Sequence, residues 1–251
     1  MIMMHGRTIK ELHGHSGSKV YLKEIAGVYC VQKEGNTERN VERMSALAEL
    51  GYRVPKIYLS MDDTLLMEYI HGLDMKNYLI HNNISQLYNF ISNTIDDFSN
   101  DSEMKDYTDT YFNKLSWLYR AKDLPFTKYD LIAKLHKVLP KSTYHGDLTL
   151  ENILHTNTGF VMIDPVTIEY DSYVFDLAKL RQDLECKWFL RETDLRLDAK
   201  LNMMQEKIFS AFPNTKDDYL LILMLLRVYR HTEKDDSNRK FILREINRLW
   251  K

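Results

Sequence analysis

The chain has 251 residues, and its 34 Lys and Arg nearly balance its 36 Asp and Glu, leaving a formal charge of −2, so no global field draws it to nucleic acid or to an anionic membrane surface. The longest apolar run, Tyr219 to Leu226, falls far short of the roughly 18 residues that span a bilayer, and the start Met1-Ile2-Met3-Met4-His5-Gly6-Arg7 has no signal-peptide plan. Cys30 and Cys186 form neither a disulfide framework nor a Cys-x-x-Cys pair, so the expectation is a soluble, unprocessed, cytoplasmic chain with both cysteines as apolar fillers.

Up to Ile70 the apolar positions alternate or fall in short runs. Thr8 to Leu12, Lys19 to Glu24 and Val28 to Lys33 predict three strands joined by Gly-containing turns. The period then changes. Val41, Met44, Leu47, Ala48 and Gly51 share one face at helical spacing, predicting a helix over 37–50 with Asn36-Thr37 as its cap and with Gly51 and Pro55 ending it. Two extended stretches follow, Lys56 to Leu59 and Leu65 to Tyr69, separated by the turn Met61-Asp62-Asp63. Beyond Gly72 the pattern is mainly helical, with Leu131, Ile132, Leu135, Val138 and Leu139 on one stripe and Phe241, Ile242, Ile246 and Leu249 on another. One interruption stands out: Asn152 to His155 and Phe160 to Ile163 flank Thr156-Asn157-Thr158-Gly159, a hairpin signal. The fold class is therefore α+β, with a β-rich lobe over residues 1–70 and a larger helical lobe over 71–251 that carries one inserted hairpin.

The chemistry concentrates in His145-Gly146-Asp147-Leu148-Thr149-Leu150-Glu151-Asn152 and, after the hairpin, Ile163-Asp164-Pro165. Asn152 and Asp164 supply two hard oxygen ligands, a set that suits Mg²⁺ because that ion keeps several waters and takes phosphate oxygens for the rest of its shell. Asp147 is left to orient an acceptor hydroxyl and take its proton, as phosphoryl transfer from a nucleotide requires.

Here the sequence resembles the kinase-like phosphotransferases, and within them the aminoglycoside phosphotransferase and choline kinase family. The pattern H-G-D-x-x-x-x-N-I-L is matched by His145 to Leu154, the metal-binding Asp by Asp164, and D-L-A-K-L by Asp176 to Leu180. The resemblance runs from about Gly14 to Leu180 and implies a bilobal protein kinase-like fold, ATP or GTP as donor, and Mg²⁺ held by Asn152 and Asp164 with Asp147 as catalytic base. It also implies that Gly14, Ser16, Gly17 and Ser18, in the turn between the first two strands, face nucleotide phosphates. Lys33 would pair with those phosphates, and the backbone at Glu68 and Ile70, in Leu65 to Gly72, would hold adenine. One departure stands against the family pattern: where a glutamate should pair with the strand lysine this chain has Asn40, with Glu38 and Glu42 two residues to either side, so the partner of Lys33 stays open among the three.

Asp176 follows Asp164 by 12 residues, with no Asp-Phe-Gly, no Ala-Pro-Glu and no room for a long activation loop. Gly146 stands where many protein kinases carry an arginine that grips a loop phosphate. Both features favour a small-molecule hydroxyl as acceptor: an aminoglycoside, choline or ethanolamine, or a sugar-type metabolite. An atypical protein kinase and a nucleotide-binding pseudokinase are the alternatives. The acid-rich stretch Ile95 to Tyr111 reads either as the lining of a pocket for a cationic or polyhydroxylated acceptor or as a solvated loop. Tyr173, Trp188 and Phe189 read equally as an apolar pocket wall or as core. Neither nucleic acid nor membrane is an expected partner, and the oligomeric state is left open.

Overall fold

The computed structural model describes residues 6–12, 18–100, 102–193, 195–233 and 236–251. The first elements are β1 (Arg7–Leu12), β2 (Lys19–Ile25), β3 (Val28–Glu34), α1 (Glu38–Glu49), β4 (Ile57–Met61), β5 (Thr64–Glu68), the short β6 (Leu73–Asp74) and α2 (Met75–His81). Then come α3 (Ser85–Ser99), β7 (Glu103–Asp106), α4 (Thr108–Lys114), α5 (Lys128–Lys134), β8 (Val138–Lys141), β9 (Ile153–Thr156) and β10 (Gly159–Met162). The chain finishes through α6 (Tyr173–Leu184), α7 (Asp198–Ala211), α8 (Asp218–Tyr229) and α9 (Ser237–Leu249).

These elements divide into two compact units, Met1–Tyr78 with Asn152–Ile168, and Leu79–Glu151 with Glu169–Lys251. The division differs from the single boundary expected after residue 70. The hairpin β9–β10 belongs to the first unit because β9 also pairs with β6, Leu73 opposite His155 and Asp74 opposite Leu154. The Tyr78 ring packs 4.7 Å from His155 and 5.3 Å from Phe160. Gly72 is required at this approach: a Cβ there would sit 2.8 Å from the carbonyl oxygen of His155.

The first unit is built on an antiparallel sheet ordered β1-β2-β3-β5-β4. Helix α1 lays Met44 against Leu65 and Met67, with Val31, Val41 and Ile57 around them. Its buried stripe is Asn40, Met44 and Leu47, while the expected face residue Ala48 is exposed. Thr37 takes the cap position as expected, yet its side chain makes no capping bond. The turn between the strands of the hairpin is closed by the Thr156 hydroxyl, which donates to Gly159 O at 2.8 Å and accepts from the Thr158 N–H at 3.2 Å.

In the second unit α6 packs against α7 and α8, and α9 against α8. Leu220 to Leu226 are all buried, so α8 is apolar around its circumference, as a central helix must be. One expectation is corrected here, and one left open is decided. The helical stripe through Leu131 and Leu139 is instead α5 followed by β8, which pairs with β7 from Glu103 opposite Lys141 to Asp106 opposite Val138. Pro140, without an N–H, cannot continue a helix but is tolerated on an edge strand. The acid-rich stretch turns its aromatics inward: Phe98, Tyr107 and Tyr111 are fully buried, while Asp96, Asp97, Glu103, Asp106 and Asp109 face solvent. It is a solvated surface over an aromatic core, with Asp101 outside the described residues. Trp188 and Phe189 are likewise buried, the Trp188 ring 5.5 Å from Phe241. Among the described residues no helix is long and apolar enough to cross a membrane.

Candidate active site

In the first unit, Lys33 is buried on β3, and its Nζ lies 2.5 Å from Asp164 Oδ1. Asn40, buried on α1, donates from Nδ2 to the same oxygen at 2.9 Å and to Pro165 O at 2.7 Å. The open question of the lysine's partner is answered by Asp164, while Glu38 and Glu42 lie on the exposed face of α1. Asn40 does stand at the inward position one turn before Met44, but an amide cannot balance a lysine. It donates instead, so the cation and the amide converge on one carboxylate oxygen.

Asp164 itself has φ +54°, a left-handed conformation that Asp tolerates better than most residues and that is common at functional positions. Its side chain remains 42% exposed, which leaves room for a further ligand. The Ile163 N–H donates to Asn152 O at 2.9 Å, so the segments carrying Asn152 and Asp164 run side by side. A carboxylate and an amide on these adjacent segments are the hard oxygen donor types that Mg²⁺ takes. Among the described residues no group of three His, Cys, Asp or Glu is placed to hold a metal ion. A cation bound here would therefore complete its shell with water and phosphate oxygens.

The remaining residues expected at a nucleotide are more scattered. The Glu68 N–H donates to Lys56 O at 2.8 Å, and its carboxylate accepts from the Lys56 N–H at 3.2 Å, so that N–H is already engaged within the sheet. Ile70 is half-buried just after β5, and Ser18 is half-buried directly before β2. Gly14, Ser16 and Gly17 lie outside the described residues.

In the second unit, the loop carrying Asp147 is clamped by one face of α6. Asp176, Lys179 and Asp183 recur at helical spacing on that face. Asp176 accepts from the His145 N–H at 2.5 Å and the Gly146 N–H at 2.9 Å, and also from the Leu148 N–H. Burial pushes its carboxyl up to about 6, and those three N–H groups pull the other way. Asp183 accepts from the Leu150 N–H at 2.7 Å. Burial, with the Glu151 charge adding to it, pushes Asp183 up to about 7. Between them Lys179 Nζ reaches Asp147 Oδ1 at 3.2 Å. Gly146 has φ +91°, which a side chain would resist, so this position needs glycine for backbone reasons as well.

Arg227, directly after the buried run Leu220 to Leu226 of α8, donates from Nη2 to Gly146 O at 3.1 Å and lies 3.8 Å from Asp147 Oδ1. Burial opposes ionisation of Asp147, but the Lys179 and Arg227 charges outweigh it and hold the carboxyl below its ordinary value. Asp147 is thus a carboxylate at neutral pH, able to accept a hydrogen bond from a hydroxyl and weak as a base. Sequence reasoning assigned no role to Lys179 or Arg227. The signals were Lys179 three residues after Asp176 and a lone arginine closing the apolar run of α8.

The family model described as the phosphotransferase enzyme family matches residues 12–205. The chain belongs to that family, and it is a kinase. No curated protein sequence matches it. Among solved structures, a thermostable mutant of aminoglycoside phosphotransferase APH(4)-Ia is similar at TM-score 0.69 and 8% identity, over 97% of this chain and 94% of that one. A protein provisionally named fructosamine-3-kinase, from Haemophilus somnus 129PT, is similar at TM-score 0.68 and 14% identity, over 99% and 92%. Choline kinase from Cryptosporidium parvum Iowa II is similar at TM-score 0.58 and 10% identity, over 99% and 89%. At such identities the likeness is one of fold: an α+β, bilobal protein kinase-like fold with a small β-rich lobe and a larger helical one.

Proposed function

We propose that this phosphotransferase moves the γ-phosphoryl group of ATP to a hydroxyl of a small molecule, with Mg²⁺ as the assisting ion. The observation that carries the reading is the convergence of Lys33 and Asn40 on Asp164 beside the Asn152 segment. A half-exposed carboxylate held by a buried lysine is a natural seat for a nucleotide phosphate and its counter-cation. Lys33 exchanges part of its contact with Asp164 for phosphate oxygens, and Asn152 and Asp164 hold Mg²⁺, which neutralises charge on the phosphates when bound. Ser18, directly ahead of β2, faces the phosphates, and the backbone at Ile70 and the carbonyl of Glu68 serve adenine.

Asp147 accepts a hydrogen bond from the acceptor hydroxyl and orients its oxygen. The bond from that oxygen to the γ-phosphorus forms as the bond from the phosphorus to the β–γ bridging oxygen breaks, ADP leaves, and the hydroxyl proton passes to Asp147. Because Lys179 and Arg227 depress its basicity, Asp147 takes the proton late, which suits a loose transfer in which the hydroxyl is little activated beforehand.

The test is ATP consumption by the purified protein over a panel of aminoglycosides, amino alcohols, sugars, sugar acids and sugar phosphates, with and without Mg²⁺. Acceptor-dependent ADP formation that needs Mg²⁺ supports the reading. Acceptor-independent nucleotide binding without turnover would favour the pseudokinase alternative.

A further inference from the structure

The carboxylate proposed to orient the acceptor is not alone on its side of the second unit. Lys179 Nζ stands 3.2 Å and Arg227 Nη2 3.8 Å from the same Asp147 oxygen. Two cations on one carboxylate are an odd provision for a site receiving an ammonium-bearing acceptor, because like charges would meet there at full strength.

The surrounding acids are engaged mostly elsewhere, Asp183 alone also facing the buried Lys179, and Arg227 has none but Asp147 within ion-pair reach among the described residues. Asp176 lies behind the loop with its charge taken up by three backbone N–H groups. Asp183 is pushed towards its neutral form and serves the Leu150 N–H. Glu151 is paired with Arg191 at 2.9 Å, Asp171 with Lys105 at 2.6 Å and Glu169 with Lys114 at 2.7 Å. Lys179 is almost fully buried, whereas the Arg227 side chain is 25% exposed. The contact of Arg227 Nη1 is the Met224 thioether at 3.6 Å, a weak acceptor that a carboxylate or phosphate would readily replace. The acid-rich stretch exposes the carboxylates of Asp96, Asp97, Glu103, Asp106 and Asp109 to solvent over buried aromatics.

We propose that the acceptor is anionic, its reactive hydroxyl lying near a carboxylate or phosphate group that the Arg227 guanidinium reads while Lys179 balances Asp147. This rests on the phosphotransferase reading and adds the charge class of the substrate. Arg227 is then a specificity residue, reached by the acceptor's charged group, and Lys179 a positioning residue acting through Asp147.

The experiment compares initial rates of acceptor-dependent ADP formation for hydroxy acids and sugar acids, for sugar phosphates, for neutral sugars, and for amino sugars and amino alcohols. Anionic members should be preferred by at least tenfold in kcat/KM, the sugar-acid and sugar-phosphate arms separating carboxylate from phosphate. For the best anionic acceptor, Arg227→Gln should raise KM roughly 10- to 100-fold with kcat within a few-fold, and Arg227→Lys should restore part of the loss. Thermal melting of both variants within a few degrees of wild type confirms that they fold. Transfer to neutral or cationic members in preference to anionic ones overturns the inference and leaves the phosphotransferase reading standing. An unchanged KM in Arg227→Gln removes Arg227 as the reader. No transfer to any member overturns both.

Discussion

Asp147 and Asp164 are both carboxylates beside a lysine, yet their settings differ. Asp147 is held below its ordinary pKa by two cations against the opposing effect of burial. Asp164 is half exposed beside the Asn152 segment. Asp147→Asn should therefore keep nucleotide affinity and its Mg²⁺ dependence while losing roughly 10²- to 10⁴-fold in turnover. Asp164→Asn should instead raise the Mg²⁺ concentration needed for nucleotide binding, since it removes a full negative charge from the cation's seat. Nucleotide titrations at several Mg²⁺ concentrations, beside single-turnover rates, separate the two; a shared loss of metal affinity alone would make Asp147 a ligand. Asn40 makes a third case. Asn40→Ala strips the donor from Pro165 O and loosens Asp164, so it should cost about 1–3 kcal/mol of stability and also raise the Mg²⁺ requirement. Denaturant melts and Mg²⁺ titrations of that variant check both effects.

At the scale of elements, α6 is the organiser of the second unit's loop. Its residues Asp176, Lys179 and Asp183 hold the loop at its start, at the Asp147 carboxylate and at Leu150. The cost of burying two acids there has a sign that can be measured. Asp183 is raised to about 7 in the folded chain from its ordinary value of 3.8, so between those values the folded state binds more protons than the unfolded one. Its contribution to stability is then greatest below the unfolded pKa and declines as pH rises towards 7, with a slope of at most about 1.4 kcal/mol per pH unit. Asp183→Asn, whose amide oxygen can still accept from Leu150, should flatten that decline. Unfolding free energies from pH 4 to 8 test it, and identical pH profiles for the two proteins would show that Asp183 stays ionised when buried.

The same elements show what a sequence discloses and what it withholds. The loop from His145 to Asn152, the hairpin after it and Asp164 were legible because their spacing is local. Lys33 was legible as a strand end. Its partner was not, because Asp164 lies 131 residues away and reaches it through a fold rather than a pattern. The pairing of β7 with β8 was hidden for the same reason: Val138 and Leu139 continue the apolar spacing of α5, and only the tertiary pairing with Glu103 to Asp106 makes them a strand. The acid-rich stretch stayed open between pocket lining and solvated loop because periodicity relates Tyr107 to Tyr111 without saying which way that face turns.

For the whole molecule, the chain changes unit between Glu151 and Asn152 and again between Ile168 and Glu169, so the proposed metal ligands and the proposed base belong to different units although Asp147 and Asn152 are only five residues apart. The proposed division of labour gives nucleotide to the first unit and acceptor to the second. Amide exchange in the presence of Mg²⁺ and a non-hydrolysable ATP analogue, without acceptor, should then protect β3, α1 and the β9 to Asp164 segment more than α8. Protection centred on α8 would reverse the assignment. The most direct measurement of the central claim is ³¹P NMR of ATP, Mg²⁺ and an acceptor identified from the panel, followed with wild type and with Asp147→Asn. The account predicts a new phosphomonoester resonance growing in step with ADP for wild type, absent without Mg²⁺, and slowed at least roughly a hundredfold in the variant. ADP appearing with inorganic phosphate and no ester, or an ester formed equally fast by Asp147→Asn, would contradict it.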